Sequence, residues 1–366
     1  VGKLVDEYLE GISKIASRDD APDVIICIVP EIIFKFGRPK SQVSDGEGFK
    51  ITKREVSSRK AGQRNMFDDF DFEHYNFSTD FRRQLKARAM EHHIPIQIIR
   101  EHTLTTEVAD EVNPDIEDDA EKNITCLSDR AWKLSVALYY KAGGKPWKLS
   151  TAREGVCYIG IAYHLVSNNV SSKTACCAAQ MFLEDGDGIV FKGDFGPWYS
   201  PEKKEFHLTS EAAKSLLSGA INTYANYSSK PLKEIFLHSH SSINDEEFSG
   251  FIEACPVGVE LYGIRVRKSA RMKLYSSEDM PVPRGTLLIE NSNRCYLWAS
   301  GYKSRLGTYD GWEVPIPLEI DLQHNACGIE QVASDIFSLT KLNYNACRLG
   351  DSEPVTILFS KNVGRV

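Results

Sequence analysis

The chain has little of what marks a membrane protein, a secreted disulfide scaffold or a carrier of bulk positive charge. No apolar run reaches the ~18 residues that a membrane-spanning helix needs. No signal peptide opens the chain, and the first residue, Val1, implies that the native start is missing or processed. The nine cysteines are odd in number and scattered, with no Cys-x-x-Cys pair. These absences predict reduced thiols and a cytoplasmic location. The net charge of −7 excludes a protein that holds nucleic acid by overall electrostatic attraction, though local patches can still take phosphates. With 42% hydrophobic and 26% charged residues, the composition is that of a folded protein, and 366 residues suffice for two domains with cores.

The pattern along the chain predicts two α/β domains, residues 1–148 and 149–366. In the first, residues 3–18 read as an amphipathic helix, and DVIICIVP at 23–30 as a strand buried on both faces of a parallel sheet. Residues 36–65 are polar and basic and read as long loops. A helix at 80–93, a strand at 94–100, an acidic loop at 107–121 and a helix at 129–142 follow. This alternation suggests a small Rossmann-like unit. In the second, strands at 156–163, 175–184 and 188–195 form an antiparallel set. A helix at 209–227, a strand at 235–238, a helix at 246–254 and a strand at 257–267 come next. That order is the one of an RNase H-like fold.

The stretch Phe81 to Leu104, FRRQLKARAMEHHIPIQIIREHTL, carries the first candidate site. Arg82 and Lys86 are four residues apart and project from one helix face. Pro95 stops the helix, and Gln97 is the one polar side chain within the apolar strand that follows. Two cations and an amide around one point suit a terminal phosphate. The alternative is a solvated basic face. Lys141 admits two uses as well: a ligand for the same phosphate, or a charge that complements the dipole of a helix ending at Gly143–Gly144. A further basic stretch, IRVRKSARMK at 264–273, places Arg265 and Arg267 on one strand face beside Lys268. With Arg83 these are candidates for contact with a nucleic-acid backbone.

Taken in order, these segments resemble the MID–PIWI half of an Argonaute, of the short prokaryotic type. DVIICIVP resembles the first MID strand. Arg82, Lys86 and Gln97 match the 5′-phosphate pocket in type and spacing. Lys141-Ala-Gly-Gly-Lys-Pro-Trp147 resembles the hinge between MID and PIWI, whose lysine is a further phosphate ligand. YIGIAY at 158–163 resembles the opening PIWI strand, and the segment Leu339 to Asn345 the closing helix. The resemblance implies a 5′-phosphorylated guide, expected to be RNA, and a complementary single-stranded DNA target. It also implies a partner protein carrying an APAZ region and an effector, TIR or sirtuin-like or a nuclease, acting in prokaryotic defence. In relatives a Mg²⁺ ion held partly by the C-terminal carboxylate, here Val366, completes the pocket. Some relatives also place an amide one helical turn before the lysine, where this chain has Ala137.

The resemblance further implies that the chain does not cut. Slicing relatives hold two Mg²⁺ ions on carboxylates. Ala162 stands at the first of those positions, His240 in the region of the third, and Lys361 at the last, close to the final strand expected before the chain ends. One alternative is a metal-dependent nuclease with a non-standard ligand set drawn from His238, His240 and Asp185, the two histidines sharing a strand face. Another is a scaffold with a vestigial pocket.

Overall fold

The computed structural model describes residues 1–37, 80–104, 127–149, 151, 153–165, 175–182, 188–192, 198–200, 205–228, 230–277, 279–345 and 347–363. The basic loops expected at 36–65 and the acidic loop at 107–121 lie almost entirely outside them. The chain divides into two compact units, Val1–Pro146 and Trp147–Val366. Among the described residues no helix is long and apolar enough to cross a membrane. Cys27, Cys157, Cys255, Cys295, Cys327 and Cys347 are free thiols.

In the first unit, helix α1 (Gly2–Ala16) and helix α2 (Phe81–Ala89) pack on a parallel pair, β1 (Ile25–Val29) and β2 (Ile96–Arg100). Val5 and Ile12 of α1 meet Phe81, Leu85 and Ala89 of α2 over Ile25, Cys27, Val29 and Ile96. Asp80 starts α2 by accepting a hydrogen bond from the Arg83 backbone N–H at 3.0 Å. The helix runs into a short 3₁₀ turn and ends at His93, whose φ of 55° is left-handed. The strand at 25–29 is not buried on both faces as its composition suggests. Ile26 and Ile28 remain 46% and 49% exposed, because α1 and α2 cover only the face of Ile25, Cys27 and Val29.

Besides two short helices, Glu31–Phe36 and Glu101–Leu104, this unit has a long helix α3 (Leu127–Lys141). Its end is set by Gly143, at φ 84°. The Gly144 N–H donates to Tyr139 O at 2.9 Å and the Gly143 N–H to Tyr140 O at 3.1 Å, the paired bonds of a Schellman cap. That cap fixes Lys141 as the last helical residue.

The second unit is built on an eight-stranded sheet. Its strands are β3 (Val156–Leu165), β4 (Ala175–Phe182), β5 (Gly188–Lys192), β8 (Glu234–Ser239), β9 (Glu260–Lys268), β10 (Leu287–Asn291), β11 (Arg294–Leu297) and β12 (Leu318–His324), in the order β10-β11-β12-β9-β8-β3-β4-β5. A separate small hairpin pairs β6 (Trp198–Ser200) with β7 (Glu205–His207). Strands β3, β8 and β9 are mutually parallel, and their other neighbours are antiparallel. The antiparallel opening and the later helix–strand alternation both follow the order read from the sequence.

Alternate residues of β3 and β8 enter two cores. Ile159, Ile161, Ile235 and Leu237 pack with helices α4 (Ser210–Tyr227) and α5 (Asp245–Ala254). Tyr158 and Phe236 pack on the opposite face with helices α6 (Ile329–Leu339) and α7 (Val355–Val363). Helix α7 crosses β3 so closely that a Cβ on Gly160 would lie 1.9 Å from the Thr356 carbonyl oxygen. Two expectations fail here. The segment 340–345 continues as turns rather than helix, α6 ending at Leu339, and the final described element is the helix α7, not a strand. Pro354 precedes α7 and its carbonyl accepts from the Ile357 and Leu358 N–H groups, which favours a helical start.

One buried carboxylate ties this unit together. Glu247, 1% exposed, accepts from Tyr163 Oη and the Leu208 N–H, both at 2.7 Å, and from the Asn244 N–H and His207 Nδ1, both at 3.0 Å. Strand β3, the segment after β7 and the start of α5 therefore share one anion. Glu247→Ala should lower unfolding free energy by about 3–5 kcal/mol, because several buried donors lose a charged acceptor at once. Urea denaturation measures this, and a loss below about 1 kcal/mol would show that the donors find other partners.

Candidate functional site

The spacing of α2 buries Phe81, Leu85 and Ala89 and leaves Arg82 and Lys86 on another face. Lys141 reaches that region from the capped end of α3. Its Nζ donates to Ile96 O at 2.5 Å and to Gln97 Oε1 at 2.6 Å. The lysine therefore bridges from its own helix to β2 rather than closing its own helix end. Gln97 works chiefly as an acceptor: its oxygen holds Lys141, and its Nε2 donates to Ile98 O at 3.1 Å.

Arg82, Lys86, Gln97 and Lys141 are thus gathered in one place. Burial lowers the Lys86 pKa, and the Arg82 charge lowers it further. Burial likewise lowers Lys141, followed by the charges of Lys86 and then Arg82. Among the described residues no carboxylate pairs with any of the three cations. Half-buried like charges without a counter-ion are costly to hold together, and a dianionic phosphate offsets that cost.

This donor set does not by itself suit a divalent cation. The one side-chain oxygen in it, Gln97 Oε1, is engaged by Lys141, and three cations repel a fourth. A Mg²⁺ ion here depends on Val366, which lies outside the described residues. Arg83 is turned to Asp80, at 3.3 Å.

The second expected constellation lies level with the carboxyl end of β8. The register pairs Ile161 with Ser239 and Ser239 with Arg265, so Ala162 of β3 comes one residue after that level and His240 follows the last residue of β8. Lys361 of α7 comes close enough for its charge to act on His240. Desolvation first, then the Lys361 charge, hold the His240 imidazole below its ordinary pKa. Lys361 Nζ is bonded to Glu353 Oε1 at 2.8 Å. Ala162 offers no ligand atom and Lys361 repels a metal, so these residues do not fit a two-metal centre. Among the described residues no cluster of three or more His, Cys, Asp or Glu side chains is arranged to hold a metal ion. Asp185, Asp187 and Asp194 lie outside them.

His238 and His240 do not share a face. Strand β8 ends at Ser239, so alternation stops before His240, which stands exposed beyond it. His238 is wholly buried under α7, its Nδ1 2.9 Å from Thr356 Oγ1 and its Nε2 without a hydrogen-bond partner among the described residues. Burial pushes its pKa down to about 3.

The basic strand is largely neutralised within the fold. Arg265 pairs with Glu205 at 2.6 Å and Arg267 with Glu319 at 2.8 Å, while Lys268 remains exposed. Sequence reading missed the cavity of about 210 Å³ beside them, where Arg267 and Ser269 meet Arg271, Arg294 and Tyr296. Arg294 arrives from β11 through pairing across β12, and no local spacing signals it.

No protein-family model matches this chain, and no curated protein matches it in sequence. Solved structures do match in fold. The Argonaute of Clostridium butyricum, bound to a guide DNA and a 19-mer target DNA, superposes with a TM-score of 0.58 at 14% identity, over 99% of this chain and 39% of that one. The A. aeolicus Argonaute gives a TM-score of 0.51 at 15% identity, over 98% of this chain and 49% of that one. This chain therefore has an Argonaute-like fold, and it spans less than half the length of the Argonautes it matches.

Proposed function

We propose that this chain anchors the 5′-phosphorylated end of a guide strand, pairs the guide with a complementary strand, and does not cut it. Val1–Pro146 serves as the MID unit and Trp147–Val366 as the PIWI unit of a short prokaryotic Argonaute. The observation that carries this reading is the convergence of Arg82, Lys86 and Lys141 around Gln97 with no described carboxylate among them. The Argonaute-like fold supports it, as does the Clostridium butyricum protein, which holds both a guide and a target.

In this reading Lys86, Lys141 and Arg82 take the phosphate oxygens, and Gln97 positions Lys141. The guide is RNA and the target single-stranded DNA. Ala162, His240 and Lys361 replace the ligands that cutting needs, so the chemical response belongs to a partner. That partner carries an APAZ region and an effector, TIR or sirtuin-like or a nuclease, and target recognition in the cytoplasm switches it on in defence against plasmids or phage.

Binding of an about 20-nucleotide RNA with and without its 5′-phosphate tests the anchor. Each charge-assisted contact should contribute about 1.5–3 kcal/mol, or about ten- to a hundredfold in affinity. Wild type should lose at least that factor without the phosphate, and Lys86→Ala should lose less, by about one contact's worth. A wild type that ignores the phosphate removes the anchor.

The lowered lysine pKa values give a second, independent readout. An added phosphate favours the charged amines and raises both values, so binding at a pH within the lowered lysine range should take up protons. Affinity should fall as pH rises through the lowered lysine range. Calorimetry in buffers of different ionisation enthalpy measures the uptake, and proton release on binding would contradict the site.

A further inference from the structure

Strand β8 ends at Ser239 between two parallel neighbours that run on past it, β3 to Leu165 and β9 to Lys268, and the carboxyl side of such a set is where open α/β sheets hold ligands. His240 follows the end of β8, Ala162 comes one residue after the β3 position level with Ser239, and Arg265 is level with Ser239 on β9. Lys361 of α7 is the charged group added to this edge from another element.

Among the described residues Arg265 and Lys361 are the cations at this level, each covered by a carboxylate of its own. Arg265 Nη2 meets Glu205 Oε1 at 2.6 Å, and Glu205 Oε2 also accepts from Ser242 through Oγ at 2.5 Å and through the backbone N–H at 3.1 Å. Arg265 is therefore held on a carboxylate that is itself held. Lys361 has a simpler arrangement, with a single bond among the described residues, to Glu353. Its side chain is 32% exposed and that of Glu353 13% exposed. His240 lies beside this pair and feels both charges, Lys361 lowering its pKa and Glu353 raising it. Of the charged pairs at the edge, Lys361–Glu353 is the one whose acceptor can be exchanged without dismantling other bonds.

We propose that Glu353–Lys361 is an exchangeable pair that receives a phosphodiester group of the target strand. This rests on the reading of the chain as a guide-directed binder. Where a metal pair would neutralise the strand, a single ammonium group does so. A lysine is a compact point charge with three donors on a flexible stem, suited to one phosphate oxygen at a time. Glu353 holds Lys361 when no strand is present, which keeps the edge neutral and makes the pair discriminate against weakly docked polyanions. As the phosphate arrives, Lys361 changes acceptor and Glu353 turns to solvent. No bond of the strand is broken.

Two neutralising variants separate this from a merely structural ion pair. Guide-loaded protein is titrated with a complementary DNA strand at several salt concentrations. Lys361→Gln should weaken target capture about five- to tenfold and reduce the slope of log affinity against log salt by about one. Glu353→Gln should tighten capture about two- to fivefold, because Lys361 no longer has an internal competitor. Lys361→Arg should retain most of the affinity. A structural pair predicts the opposite pattern, in which both neutral variants weaken capture together as their melting temperatures fall, and that result overturns the proposal. Unchanged capture in both variants overturns it too. Guide affinity, set in the other unit, is the control: a wild type that binds neither guide nor target defeats the guide-directed reading itself, whereas a wild type that captures target with indifferent variants defeats only the exchange.

Discussion

The bridge from Lys141 to β2 is the contact on which the candidate site depends. A lysine at a helix end has many places to go, most of them in water. Here a glycine cap stops the helix one residue later, and two oxygens, Ile96 O and Gln97 Oε1, receive the amine. The consequence is electrostatic. Once Lys141 is drawn onto the strand it lies within reach of Lys86 and Arg82, whose charges add to burial in lowering its pKa, as the Arg82 charge adds to burial at Lys86. Below the lowered lysine pKa values the folded state carries that penalty. It disappears only as pH rises toward the ordinary lysine value, where the unfolded chain also gives up its protons. The unit holds this arrangement in spite of its cost, which is how sites for anions differ from surfaces.

The second unit solves a different problem. Its sheet must bury both faces, and it does so with two cores that divide alternate residues of the same strands. Two polar devices hold the layers in register. Glu247 gathers donors from three segments on one side. On the other, Arg153 joins Glu234 at the start of β8 to Asp335 of α6, at 2.7 and 2.9 Å. Between them, Gly160 lets the backbone of α7 rest directly on β3. Arg153 fixes the amino end of the parallel strands, while Glu247 and the contact at Gly160 hold the layers around the level where Ala162, His240 and Lys361 stand.

Much of this was legible in the chain itself, for reasons that can be named. Helical periodicity separated Leu85 from Arg82 and Lys86, and glycine after Lys141 marked the cap. Local rules suffice for both. They fail where a distant element decides. DVIICIVP looks like a strand covered twice, but the described helices of its unit cover one face, and composition does not reveal which. His238 and His240 alternate in the sequence, yet the strand ends between them, and Thr356, over a hundred residues away, claims the first. Arg265 and Arg267 read as a basic face because their partners Glu205 and Glu319 are 60 and 52 residues distant. The gathering of Lys141 with Gln97 came from resemblance rather than from spacing, since nothing local relates residues 44 positions apart.

The buried imidazole of His238 has one more consequence. One ring nitrogen faces a hydroxyl, and the other has no hydrogen-bond partner among the described residues. Such a ring has nowhere to put a second proton while the fold is intact. In the unfolded chain it accepts one below about pH 6.5. Stability is therefore unaffected by this group near neutrality and drains away as the medium is acidified from there toward pH 3. Acidification through this range would therefore loosen the joint between α7 and the sheet while leaving the lysines and arginine of the other unit charged.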